Sequence, residues 1–135
     1  MKRFFLTACL SILLSAALTA QEGQPQHLLD GTSMDYYYQN GSAVHATFEA
    51  GQFQFEWFLG PNAGATGSCA YNSRKIGEKR YLVGFSFDPS KAYVTIAFNF
   101  NENVFATSGW LGAGTEEELF LFEAGVIEKL KLKEN

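Results

Sequence analysis

Apolar and polar residues alternate along most of the chain after residue 31, with a period of two residues. This spacing is typical of half-buried β-strands. It is clearest in the segments 34–38, 44–48, 53–57, 81–87 and 94–100, and weaker over 68–76, and residues 104–110 form a further strand-like segment. Turn sequences separate the segments, such as Asn40-Gly41 and Asp88-Pro89-Ser90-Lys91. The pattern therefore predicts a series of short strands joined by tight turns.

The last part of the chain allows two descriptions. Segments 118–123 and 126–132 alternate like two strands, with Ala124-Gly125 as the turn between them. Residues 115–118 could instead cap a helix over 119–122. Because Gly125 follows too soon for a long helix, the pattern favours strands.

Eight or nine consecutive strands with hairpin connections predict an all-β fold. An up-and-down antiparallel barrel satisfies this pattern, and eight strands with their turns need roughly 100 residues. The alternative architecture is a sandwich of two sheets. No long crossing connection is evident, which favours the barrel.

The first turn carries a prediction of its own. At Asn40-Gly41 we expect two consecutive residues with positive φ.

The first twenty residues differ from the rest of the chain. Lys2 and Arg3 precede an apolar run over 4–14, and small residues follow up to residue 20. This layout is typical of a secretory signal peptide, and the run is too short for a membrane span. We therefore expect a signal at 1–20, a polar tail at 21–30 and a barrel domain at 31–135. The protein would be exported to the periplasm or secreted, with no membrane span after cleavage.

Composition adds two constraints. Apolar residues make up 47% of the chain and aromatic residues 16%, which is enough for one well-packed core. Without the two basic residues of the signal, eight basic residues oppose 14 acidic ones, a net charge of −6. No basic patch is evident, so nucleic acid is not an expected partner. Cys69 would be the one cysteine left, and we expect a buried, inert thiol.

The common chemical motifs are missing from the sequence. It holds no phosphate-binding glycine loop, no paired Cys or His spacing and no nucleophile elbow. His27 and His45 are the two histidines, and His27 lies in the polar tail. We therefore expect neither a metal site nor a cofactor. His45 alternates with apolar neighbours, so it is expected at the surface or at the edge of a cavity.

Two segments carry a family resemblance. Residues 31–41 read GTSMDYYYQNG, which resembles the opening strand and turn of bacterial phenolic acid decarboxylases. Residues 78–85 read EKRYLVGF, which resembles a further strand of those enzymes. Tyr71, Ile76 and 81–83 also match the pattern of the broader MoaF-like group of calycin-type barrels. The resemblance covers roughly 31–110 and implies a calycin, or lipocalin-like, barrel.

The resemblance also implies a candidate site. In the decarboxylases two tyrosines of the first strand hold the substrate carboxylate, and these correspond to Tyr36 and Tyr38. An acidic residue handles the proton, and this corresponds to Glu78. The family's arginine on the third strand corresponds to Glu56, which places a negative charge where an anionic substrate would sit.

The orientation of the third strand is open at this point. Burial favours Phe53, Phe55 and Trp57 on the inside, whereas the resemblance places Gln52, Gln54 and Glu56 there. In the second case the aromatic face would need a partner, and a homodimer would supply one.

Three functions follow from these observations. The first is an exported lipocalin-like barrel that binds a small aromatic or apolar molecule, a non-oxidative lyase is the second, and an interaction module with a filled barrel is the third. Six residues are the predicted lining of the binding site: Tyr36, Tyr38, Glu56, Trp57, Tyr81 and Trp110. For the lyase, Tyr36 and Tyr38 would be the carboxylate donors and Glu78 the acid or base.

Overall fold

The computed structural model describes residues 26–133. The predicted signal peptide, the first half of the predicted polar tail and the last two residues lie outside the described part. Within that part, no helix is long and apolar enough to cross a membrane.

Eight strands and one turn of 3-10 helix make up the fold of the described residues. The helix, Asp88–Ser90, lies at the predicted Asp-Pro turn. The strands are β1 (Ser33–Tyr38), β2 (Ala43–Glu49), β3 (Gln52–Leu59), β4 (Thr66–Gly77), β5 (Arg80–Phe87), β6 (Ala92–Asn99), β7 (Val104–Leu111) and β8 (Leu119–Lys131).

The strands form one closed antiparallel barrel in sequence order. Each strand pairs with the next, and β1 pairs with β8 to complete the circle. The predicted all-β, up-and-down barrel is therefore confirmed, with eight strands, and the sandwich is not formed. Because the strands are antiparallel and follow one another around the barrel, successive connections lie alternately at its two ends. The connections β1–β2, β3–β4, β5–β6 and β7–β8 lie at one end, here called the upper end, and the other connections lie at the lower end.

The alternation in sequence corresponds to an inner and an outer face. On β2, Val44, Ala46 and Phe48 are buried inside the barrel, while His45 is exposed. On β3, Phe53 is buried inside and Glu56 is exposed. The aromatic face of β3, with Phe53, Phe55 and Trp57, therefore points into the barrel, as the burial argument predicted. A homodimer is not needed to cover this face.

The chain's end differs from the prediction of two strands. Residues 119–131 form one strand, β8, which continues through Ala124-Gly125 without a turn. Gly125 lies where β8 passes between β1 and β7, and a Cβ on it would collide with the carbonyl oxygen of Tyr37 and with the Phe105 ring. The glycine is needed for close approach of strands at the seam of the barrel.

The first hairpin also differs in detail from the prediction. Only Gly41 has a positive φ there, and Asn40 does not. The Gly41 N–H donates to the Tyr38 carbonyl (3.1 Å), and the Ser42 N–H donates to the Asn40 side chain (3.0 Å). This is a turn followed by a glycine bulge, in which the Asn side chain supports the turn in place of a second left-handed residue.

The segment before β1 closes the lower end of the barrel. Leu29 is buried, and its N–H donates to the Tyr71 hydroxyl (3.1 Å). Tyr71 in turn donates to the Asp30 carboxylate (2.9 Å), which also accepts from the Gly51 N–H (3.0 Å). Residues 26–30 of the predicted tail therefore pack against the barrel as a plug.

Candidate functional site

A cavity of about 890 Å³ opens at the upper end of the barrel. Its wall combines inward-facing aromatic and aliphatic side chains, and its mouth is formed by the upper connections. The wall includes Tyr36, Tyr38, Val44, Phe53, Phe55, Trp57, Phe85, Phe87, Ala92, Leu111 and Leu121. The mouth includes Asn62, Lys91, Thr115, Glu116 and Glu117. A largely apolar cavity of this size, with a few polar groups, is typical of a small-molecule site.

Two tyrosines supply the polar groups inside the cavity. Tyr36 and Tyr38 both point inward from β1, and their rings meet edge-on with centroids 5.6 Å apart. Burial raises the pKa of Tyr38 to about 12 and that of Tyr36 well above its ordinary value. Both are therefore neutral at physiological pH. A neutral phenol hydroxyl can donate one hydrogen bond and accept others, so both groups can bond to a polar atom of a ligand.

Trp57 gives the cavity a flat aromatic wall. It points inward from β3 and lies nearly parallel to the Tyr38 ring, with an interplanar angle of 11° and centroids 5.7 Å apart. Phe55 and Phe87 meet edge-on elsewhere in the wall, with centroids 5.3 Å apart. Flat and edge-on rings of this kind can pack against an apolar or aromatic ligand.

The structure brings together three of the six predicted lining residues, Tyr36, Tyr38 and Trp57. Tyr81 also points inward, but from the lower half, where it packs near Phe100 with centroids 5.8 Å apart. Glu56 and Trp110 lie on the outer face and are exposed, so neither lines the cavity. Trp110 contacts Phe120 there, with ring centroids 5.1 Å apart.

Glu78 is separated from the two tyrosines. It lies exposed in the β4–β5 turn at the lower end, where its carbonyl accepts a hydrogen bond from the Asn101 side chain (2.7 Å). The cavity and its tyrosines face the upper end. The three groups that the decarboxylase resemblance implies are therefore not assembled into one site, because β4 and β5 turn at the opposite end from the cavity mouth.

Several of the lining residues that sequence reasoning missed come from β7, β8 and the connection between them. Leu111, Leu121, Glu116 and Glu117 line the cavity from β7, β8 and the loop between them. The alternation of Leu119 and Leu121 was a signal for an inward face. The sequence pattern does not predict that this segment lies beside the tyrosines of β1, which come about eighty residues earlier.

A second polar cluster lies on the outer face. His45 hydrogen-bonds to Asp35 through Nδ1, and its ring stacks on Phe58 at 3.8 Å. Lys129 Nζ lies 3.6 Å from the other oxygen of Asp35. This places His45 at the surface, as expected, and away from the cavity. The pairing accounts for Asp35, which is buried although it points outward.

Neither metal chemistry nor thiol chemistry is indicated in the described residues. Within 26–133 no three His, Cys, Asp or Glu side chains are grouped so that they could hold a metal ion. Cys69 is half-buried beside the core, and burial raises its pKa to about 11. Its thiol is therefore protonated at neutral pH and a poor nucleophile.

Comparisons with known proteins agree with the barrel. No protein-family model matches the chain, and no curated protein matches it in sequence. Among solved structures, it is similar to one described as a putative beta-lactamase from Burkholderia vietnamiensis. The two share 18% sequence identity at a TM-score of 0.66, over 74% of this chain and 93% of that one. At this identity the likeness establishes a shared barrel fold alone.

Proposed function

We propose that this chain is a binding protein for a small, largely apolar or aromatic molecule, which enters the barrel from its upper end. The observation that carries the proposal is the cavity of about 890 Å³, open at the mouth and lined by aromatic side chains. Ligand sites of small-molecule binders are commonly of ~300–1,000 Å³. A barrel that is filled throughout, as in the interaction-module hypothesis, would have no such cavity.

The details of the wall favour a ligand with one polar group. The Tyr36 and Tyr38 hydroxyls can donate and accept hydrogen bonds, and Trp57 offers a flat face beside them. An apolar body would displace water from the remaining wall. The resemblance to calycin-type barrels supports the same proposal, because an eight-stranded barrel is just wide enough for one small ligand.

The N-terminal sequence supports the proposal that the protein binds its ligand outside the cytoplasm. The pattern of residues 1–20 is that of a secretory signal peptide. We therefore place the protein outside the cytoplasm, where it would bind its ligand in the periplasm or after secretion.

Titration with a neutral fluorescent probe, N-phenylnaphthylamine, tests the binding function. We expect saturable binding to the protein, with enhanced probe emission. Ala92→Trp and, separately, Leu121→Trp place a large side chain in the cavity, and each should weaken binding about tenfold or more by removing the space for the probe.

Thr95→Trp is the matched control, because Thr95 lies on the same strand as Ala92 but is exposed on the outer face. It should leave the probe affinity unchanged, with circular dichroism showing that all variants are folded. The proposal fails if the native protein does not bind the probe, or if both cavity variants bind it as tightly as the control does.

A further inference from the structure

The two ends of the barrel differ in charge. The upper end holds the carboxylates of Asp88, 116–118 and Glu123, with Lys91 as the one described cation there. Six of the eight described Lys and Arg residues lie at or near the lower end: Arg74, Lys75, Lys79, Arg80, Lys131 and Lys133. The described chain therefore carries an excess of negative charge around the cavity mouth, whereas at the lower end the cations lie beside the carboxylates of Asp30, Glu49, Glu78 and Glu102.

The charged residues that line the cavity itself all lie at its mouth. They are Lys91, Glu116 and Glu117, and each is exposed. Below them the wall is apolar apart from the Tyr36 and Tyr38 hydroxyls, which are neutral. Among residues 26–133 no cation lines the deeper wall, so a buried anion would meet no countercharge from them there. A ligand with a charged group therefore enters with its apolar end first and keeps that group at the mouth beside two carboxylates, whereas an uncharged polar group can bond to the two tyrosine hydroxyls.

From this arrangement we infer that the cavity discriminates between ligands by charge: it takes amphiphiles whose outer end is a cationic amine or an uncharged group, and disfavours carboxylates. The inference rests on the proposed binding function and names the ligand class for it. Attraction between an ammonium group and Glu116 and Glu117 stabilises the bound amine, whereas a carboxylate at the same position is repelled. The same field draws cations toward the mouth and slows the approach of anions.

The expected size of the effect is modest, because the mouth is exposed to water. Pairs of exposed charges change affinity by a few-fold each, and salt weakens them further. We expect an amine to bind about three- to tenfold tighter than a carboxylate of the same shape, with an alcohol between them. A hydroxycinnamate, which is an anion, falls on the disfavoured side of this series.

Competition against bound N-phenylnaphthylamine tests the inference with three probes that share one apolar body: phenylbutylamine, phenylbutanol and phenylbutyrate. The expected order of affinity is amine, alcohol, carboxylate, and the differences should shrink as salt concentration rises. In Glu116→Lys/Glu117→Lys the order should reverse, because the mouth then carries three cations.

The matched control is Glu49→Lys/Glu102→Lys, which makes the same change in net charge at the lower end, where both residues are exposed. It should keep the native order of affinities. Equal affinities for the three probes in the native protein would overturn the charge discrimination while leaving the binding function intact. An equal reversal in the control variant would do the same. If neither the fluorescent probe nor any competitor binds, the binding function itself fails, and this inference fails with it.

Discussion

The two ends of the barrel are both lined by aromatic side chains, but the lower end is filled and the upper end holds an open cavity. At the lower end, Phe48 and Phe98 are almost fully buried, and Leu29 and Asp30 of the plug close the opening. At the upper end the wall is also aromatic, but Phe55, Trp57 and Phe87 remain partly exposed around a cavity. The difference is made by what lies beyond the strands. A buried leucine and a bonded carboxylate fill the lower end, whereas at the upper end no described segment enters the barrel in the same way and the cavity stays open.

The largest expected contrast comes from deleting one aromatic ring at each end. Phe48 is fully buried and packs on Phe53 and Tyr71, with centroids 5.0 and 4.9 Å apart. Phe48→Ala should lower the free energy of unfolding by about 3–5 kcal/mol, since it leaves a cavity in a close-packed core. Phe87→Ala should cost only about 1–2 kcal/mol, because that ring already borders open space. Urea unfolding measures both, and equal losses would contradict the contrast.

A smaller effect is expected from removing the carboxylate that holds the plug. Asp30 accepts hydrogen bonds from Tyr71 and from the Gly51 N–H. Asp30→Ala should cost about 2 kcal/mol, because the buried Tyr71 hydroxyl then loses an acceptor. Glu116→Ala at the exposed mouth is the comparison, and it should change stability by less than about 0.5 kcal/mol. Hydrogen exchange at Leu29 should also accelerate in Asp30→Ala, and unchanged protection would contradict the role of this carboxylate.

The smallest effect is confined to alkaline pH. Burial raises the pKa of Tyr38 from its ordinary value of 10.0 to about 12, so the folded protein holds a proton that the unfolded chain releases. Stability from this group is therefore fully present below pH 10 and is lost as pH rises from 10 toward 12. Urea midpoints measured against pH should fall in that interval. They should fall less steeply in Tyr38→Phe, and identical slopes would mean that Tyr38 ionises normally.

Much of the fold could be predicted because it depends on local alternation. The inward faces of β2 and of β6 follow from Val44, Ala46 and Phe48, and from Val94, Ile96 and Phe98. Gly125 shows the limit of this reasoning. A glycine that allows close approach of two strands looks the same in sequence as one that allows a turn. What separates the two is a Tyr37 carbonyl that is nearly ninety residues away.

The site residues were harder to predict than the fold, and each misplaced or missed residue has its own cause. Glu78 could have been placed by counting turns, since in an up-and-down barrel the fourth turn lies at the opposite end from the first. Trp110 could not have been placed, because the alternation along β7 is too weak to show which of its faces is inward. The lining from β8 required knowledge of strand closure. Tyr36 and Tyr38 were indicated by the family resemblance, and Trp57 lies on a strand whose aromatic residues alternate clearly.

The positions of the two ends of the described chain determine from which end of the barrel a fused or tethered partner would leave. Both ends of the described chain lie at the lower end: Gln26 beside Ser73, and Lys133 beside Thr32, whose hydroxyl accepts from the Lys133 N–H (3.4 Å). A tether, a fused domain or an immobilising tag joined at either side therefore leaves from the plugged end. The mouth would then face away from the anchor, so the barrel could be displayed on a surface without blocking its entrance.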